Sequence, residues 1–160
     1  MWIYCSNLDD GGINMIVQLL SALAGSFGFA VLFRLRKDFW IPASLGGMIV
    51  WGFYLFCMQL TDERNFISCL MASALAGIYS EILAKLLHAP ATIFAIIAVI
   101  PLVPGSSLFY TMLNIVNWNT QQASFYCSQT IYLALAIASG ISIVWTLWSI
   151  LFIRNNKESH

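Results

Sequence analysis

Two prolines followed by glycine and two serines form the part of this chain best equipped for chemistry. Pro101, Pro104, Gly105, Ser106 and Ser107 stand inside a long apolar run, with Tyr110 and Asn114 about one and two helical turns further on. A proline within a helix removes one backbone hydrogen bond and crowds the preceding turn, at about 3 kcal/mol. Two prolines three residues apart, followed by Gly-Ser-Ser, predict a helix that is broken rather than curved. Val103 precedes Pro104 and is expected to be extended. A new helix can start at Pro104 or Ser106, because proline suits a first turn and serine suits an N-cap. Its first amides would lack intrahelical partners and carry partial positive charge. That makes an anion site without an arginine, suited to a carboxylate. The Ser106 and Ser107 hydroxyls, with Tyr110 and Asn114, could hydrogen-bond the ligand's other polar atoms. The competing reading is a kink that only shapes packing, although a kink needs one proline and no Gly-Ser-Ser.

A second group is ionisable. Glu81 and Lys85 are one turn apart, with the acid N-terminal, the order that favours an ion pair on one helix face. His88 follows about one turn later. Charge at membrane depth is costly and marks ion pathways, so Glu81 is the proton-coupling candidate, on condition that burial raises its pKa. Lys85 and His88 are close enough to a span end to snorkel. The chain has no nucleophile–base pair and no metal-ligand spacing: His88 and His160 are the only histidines, and Cys5, Cys57, Cys69 and Cys127 form no CxxC. Neither an enzyme nor a metal or other cofactor is expected. Cys57 and Cys69 read as small apolar filler, whereas Cys5 and Cys127 would share one side of a membrane, where a disulfide between them is allowed but weakly motivated.

The elements that must hold these residues are membrane spans. The chain has 160 residues, 60% of them hydrophobic and 9% charged, with a mean hydropathy of +0.81. A soluble domain is usually about 25% charged; here a lipid bilayer is the partner that the composition demands. The net charge is +0 and there is no long basic run, so nucleic acid is not an expected partner. Apolar runs of about 20 residues predict an all-α integral membrane protein: one transmembrane domain over 1–160, a bundle of five helices at 13–33, 41–60, 65–88, 91–116 and 127–153, the fourth broken at Pro101–Ser107. Pro42 is expected in the first turn of the second span, Thr61 and Asp62 as caps of the third. The N-terminal segment carries Asp9 and Asp10 and no basic residue, unlike a signal peptide, so the first span is expected to be retained. Arg34, Arg36, Lys37, Lys85, Arg154 and Lys157 fall on one side of five crossings, and Arg64 with Asp9, Asp10, Asp62 and Glu63 on the other. The positive-inside rule then puts the N-terminus outside and the C-terminus in the cytoplasm.

Small residues recur at four-residue spacing: Ser21 and Gly25, Ala24 and Gly28; Ser73 and Gly77, Ala72 and Ala76; Ala134 and Ala138, Ala136 and Gly140. Such ridges read as packing seams between helices, and Gly46 with Gly47 as a bend or a contact. Trp40, Trp51, Trp118, Trp145 and Trp148, with Tyr54, Tyr110 and Tyr126, read as interfacial anchors.

The run HAPATIFAIIAVIPLVPGSSLFYTM, from His88 to Met112, resembles the signature of the threonine/serine exporter family, in particular its smaller, C-terminal-type half. The resemblance extends over the chain in length and span number and is strongest in that run, where Pro101, Pro104, Gly105 and Ser106 match. It implies a secondary transporter of a bacterial cytoplasmic (inner) membrane. Such a transporter exports small hydroxy amino acids, or in some relatives a dicarboxylate such as succinate, driven by protons. It also implies a larger subunit of the same family as partner, with higher oligomers open. Discontinuous helices hold the carboxylate of amino-acid substrates in several transporter folds, which fits the break described above. Two alternatives stand beside it: a channel subunit, for which the sequence offers no charged ring, and a structural or assembly subunit whose prolines are only kinks.

Overall fold

The computed structural model describes residues 11–60 and 65–157, with side-chain surroundings given for 15–60 and 65–150. Among these residues six helices follow one another: α1 (Gly11–Leu32), α2 (Lys37–Leu60), α3 (Asn65–Leu87), α4 (Ala91–Val99), α5 (Gly105–Val116) and α6 (Thr120–Lys157), with a 3₁₀ turn at Ile100–Leu102 between α4 and α5. No strand occurs among the described residues. Among them α1, α2, α3 and α6 are long and apolar enough to cross a membrane, and the count reaches five if α4 and α5 form one bent span.

Two expected boundaries shift. Helix α2 starts at Lys37, with Asp38 in its first turn, so Pro42 lies inside the helix instead of at its start. Asp38 favours the positive end of the helix dipole and carries the helix back past the apolar run. Helix α6 starts at Thr120 rather than 127, because Asn119 caps it: the Gln122 amide donates to Asn119 Oδ1 at 3.4 Å and the Ala123 amide to the Asn119 carbonyl at 3.0 Å. The proposed caps Thr61 and Asp62, the acidic pair Asp9–Asp10, Glu63, Arg64 and Cys5 lie outside the described residues, as do the side chains of Arg154 and Lys157.

The tight connections come from left-handed residues. Arg34, His88 and Trp118 have φ of 53, 50 and 56°. The next amide in each case returns to an earlier carbonyl: Leu35 to Ala30, Ala89 to Ala84 and Asn119 to Asn114. This closure satisfies end carbonyls in the way a glycine cap usually does, at roughly 1–2 kcal/mol for a residue with a Cβ.

Packing depends on the small residues, though unevenly. Ala72, Ala76 and Ala136 are fully buried, and small residues line the seam where α3 meets α6. A Cβ on Gly140 would stand 2.7 Å from the Leu70 carbonyl, and one on Gly77 would stand 3.0 Å from Val144 Cβ. The Ser73 hydroxyl donates within this seam to Leu70 and Ala136 carbonyls at 2.9 and 3.3 Å. Gly46 is a contact and not a bend: the Tyr79 ring lies against it, and the Tyr79 hydroxyl donates to the Pro42 carbonyl at 2.7 Å. The ridge of α1 behaves differently, since nothing lies within 4 Å of a Cβ placed on Gly25 or Gly28. Large apolar side chains such as Leu20, Phe56, Leu86, Ile96, Phe109 and Met112 point outward, as expected for a surface solvated by lipid. Trp118 is 90% exposed, consistent with an interfacial anchor. Trp51 and Tyr54 are not anchors: they are buried and stacked on each other at 5.2 Å. Cys57 and Cys69 are buried, and Cys127 is exposed.

Candidate functional site

In the 91–116 run the structure has two helices joined by a 55° bend. Helix α4 tightens into the 3₁₀ turn that contains Pro101, and Val103 is extended with ψ of 126°. Pro104, at φ −76° and ψ 58°, forms an inverse γ-turn, in which the Gly105 amide donates to the Val103 carbonyl at 2.7 Å. Helix α5 begins there without any side-chain cap. The Leu108 amide returns to the Pro104 carbonyl, while the amides of Ser106 and Ser107 have no intrahelical acceptor.

Each proline frees one carbonyl four residues earlier, and both carbonyls are satisfied. Ile100, freed by Pro104, accepts from the Val103 amide at 3.2 Å. Ile97, freed by Pro101, accepts from the Ser26 hydroxyl of α1 at 3.5 Å, with Ser26 fully buried. Gly47 makes room for this contact: a Cβ there would be 2.8 Å from Ser26 Cβ and 3.4 Å from Pro101 Cγ. Three helices therefore meet at the break around a hydroxyl, a glycine and a proline ring.

Beside this junction is a cleft of about 250 Å³. Helix α1 contributes Ser21, Ala22, Gly25 and Ser26, and α2 contributes Trp51. The break supplies Ile100, Pro101 and Val103, and the start of α5 supplies Gly105 and Ser106. None of these lining residues is ionisable. The fixed charges are backbone dipoles: the carbonyl end of α4 and the amide end of α5 converge where the helix is interrupted. The volume suits a small metabolite with a few waters, each taking about 30 Å³.

The structure divides the residues singled out from sequence. Pro101, Gly105 and Ser106 line the cleft. Pro104 is buried and sets the γ-turn that aims α5. Ser107, Tyr110 and Asn114 lie on another face of α5, away from the cleft lining. Tyr110 stacks on Tyr126 of α6 at 5.4 Å. The Ser107 carbonyl accepts from Thr111, and Asn114 Nδ2 donates to the Tyr110 carbonyl. The reason is helical phase: 107, 110 and 114 recur on one stripe, and the bend turns that stripe toward α6. Glu81 is half-buried on α3 and is not part of the cleft lining, while Lys85 Nζ lies 4.5 Å from the Trp148 ring centroid. His88 is the exposed left-handed residue closing α3.

Sequence reasoning missed Ser26 and Trp51 as site residues and treated Ser21 and Gly25 as packing. Nothing local marks Ser26, whose acceptor is 71 residues away. Trp51 did carry a signal, because it lies in the middle of the 41–60 run, where an interfacial anchor has no reason to be. A family model described as Threonine/Serine exporter, ThrE, matches residues 18–147. No curated protein and no solved structure matches the chain.

Proposed function

The chain belongs to the threonine/serine exporter ThrE family, and on that premise we propose that it exports a small zwitterionic amino acid through the cleft at the α4–α5 break. It is a multi-pass membrane protein of a transporter family. In this reading α4 and α5 together are the fourth of five spans, with the N-terminus outside and the basic ends of α1 and α3 in the cytoplasm of a bacterial inner membrane. A larger subunit of the same family completes the transporter.

The observation that carries the proposal is the meeting of two opposite helix ends at a cleft without ionisable lining residues. The α5 amides favour a carboxylate and the α4 carbonyls favour an ammonium group, as at other discontinuous helices. A dicarboxylate would bring two negative charges to one positive helix end, with no lining cation to balance the second. The amino acid is therefore preferred to succinate. Ser106 supplies a hydroxyl beside the carboxylate position, and Gly105 leaves space for the ligand, since a Cβ there meets nothing within 4 Å. Glu81 is the acid assigned to proton coupling.

The test is efflux of labelled threonine, serine and succinate from cells lacking their own exporters, expressing the chain, a larger family half, or both. Threonine or serine efflux is expected only with both. It should fall at least about tenfold in Gly105→Val or in Ser106→Ala, the scale of one lost polar contact or a blocked site. Glu81→Gln should remove the dependence on the pH gradient. Normal efflux in the Gly105 and Ser106 variants would reduce the break to a packing kink, as in a structural subunit. Succinate efflux alone would reject the zwitterion assignment.

A further inference from the structure

The two helices of the bent 91–116 segment are held very differently. Helix α4 packs on α2 and α3 and buries Phe94, Ala95, Ile97 and Ala98. Helix α5 packs chiefly on α6, and its buried residues are Ser107 and Asn114. Its ties to α6 are close: Tyr110 stacks on Tyr126 at 5.4 Å, and the Asn119 amide donates to the Asn114 carbonyl at 2.9 Å. Further on, α6 is fixed in the α3 seam by Ala136, Gly140 and Val144. Between Ala123 and Leu133, however, no residue of α6 is buried. Helix α5 and the first turns of α6 thus form an arm that stands off the rest of the bundle.

Space adjoins this arm in two places. One is the cleft of about 250 Å³, where Ser21 and Gly25 keep the α1 wall low. The other, of about 480 Å³, lies between Asn65 and Phe66 of α3 and Gln129, Tyr132 and Leu133 of α6. Close packing is what holds an element in one position, so an arm beside two spaces is free to lean. Its foot is Pro104, where the ring fixes φ and leaves ψ to turn. That ψ is 58°, between the helical value of about −42° and the polyproline value of about 145°. The hydrogen bond that spans it is the γ-turn bond from the Gly105 amide to the Val103 carbonyl. The bond from the Leu108 amide to the Pro104 carbonyl turns with α5 and need not break. A Cβ on Gly105 would meet nothing within 4 Å, so no tight contact at that residue opposes the rotation.

We propose that α5 and the first turns of α6 are the gate of the cleft, swinging about the Pro104–Gly105 hinge against a body made of α1 to α4 and the rest of α6. The inference rests on the amino-acid reading above and adds the part that moves. A ligand shifts such an equilibrium only if it binds one state better. Here the carboxylate contacts the α5 amides and the ammonium group contacts the α4 carbonyls, so both are held best when the arm closes toward the body. The low α1 wall allows that approach. Hinges of this kind concentrate the backbone change in a few residues, and α4 stays in place because its buried face is packed.

The test is a distance measured by pulsed electron paramagnetic resonance between spin labels on the full chain, assembled with its larger half in lipid nanodiscs. One pair joins the arm to the body, at Val116 of α5 and Phe56 of α2, both exposed. The control pair lies within the body, at Phe56 and the exposed Ile96 of α4. An arm of 12 residues is about 18 Å long, so a turn of about 15° moves its tip by about 5 Å. Saturating threonine is expected to shift the arm pair by that amount and to leave the control pair unchanged. A second measurement needs no label on α5. Phe66→Cys with Tyr132→Cys places two thiols at the larger space, and a bifunctional thiol reagent tethers them. Threonine efflux should fall at least about tenfold on tethering and return on reduction. Unchanged arm distances, or full efflux in the tethered protein, would overturn the gate while native threonine efflux kept the amino-acid reading intact. A shift with succinate and none with threonine would keep the gate and reject the amino acid. Static distances with no efflux of either would overturn both.

Discussion

The α3–α6 seam and the α1–α2 junction at the helix break use the same kind of residues for opposite ends. Both present glycine, alanine and serine at four-residue spacing. In the seam, Gly140 lies so close to the Leu70 carbonyl that a Cβ would be 2.7 Å from it, and Gly77 packs on Val144. At the junction, Gly25 and Gly28 of α1 meet nothing within 4 Å, and Gly25 borders the cleft. Small residues permit close approach without requiring it; whether a ridge closes depends on what stands opposite. Facing α3, α6 supplies Ala136, Gly140 and Val144. Facing α1, a helix with two prolines turns away and leaves a space.

This contrast can be broken by substitution. The largest effect is expected at the seam. Gly140→Val directs its Cβ at backbone atoms of α3, which cannot move aside as a side chain tip can, and should destabilise the fold by about 3 kcal/mol. Thermal unfolding in detergent would measure it, and an unchanged midpoint would mean that α3 and α6 are not packed so closely. A smaller loss is expected for Ser26→Ala, which leaves the Ile97 carbonyl buried without the Ser26 donor, at about 1–3 kcal/mol. That variant should also lower efflux, because the orientation of α5 depends on the junction; stability and transport both equal to the native protein would remove Ser26 from the account. The smallest change in stability belongs to Gly25→Ala, within about 1 kcal/mol and in the stabilising direction, since the site is open and alanine favours helix. Its methyl group enters the cleft, so efflux should nevertheless fall. Gly28→Ala is the control, equally open but outside the cleft lining. Equal efflux in the two variants would show that the cleft wall of α1 is not used.

The reach of sequence reasoning differed between these regions for a physical reason. The break was legible because proline acts on its own chain: the lost N–H and the ring clash do not depend on neighbours, so the extended Val103 and the restarted helix could be foreseen. The αα turn at Trp118 and the early start of α6 were not anticipated, because an apolar-run search ignores a polar first turn that Asn119 caps locally. Ser107, Tyr110 and Asn114 share a helix with the cleft residues, yet their direction depends on a bend angle that no spacing encodes. Trp51 shows the reverse case, a residue whose mid-span position contradicted the anchor role assigned to it.

What the sequence determined by itself was the solvent and the helical class, since these follow from composition and from local backbone chemistry. Only the tertiary structure decided which small-residue ridge closes, which hydroxyl satisfies the carbonyl freed by Pro101, and which side chains surround the cleft. Those outcomes depend on contacts between residues as distant as Ser26 and Ile97. Whether such groups meet is set by the relative placement of rigid helices, which local propensity does not specify.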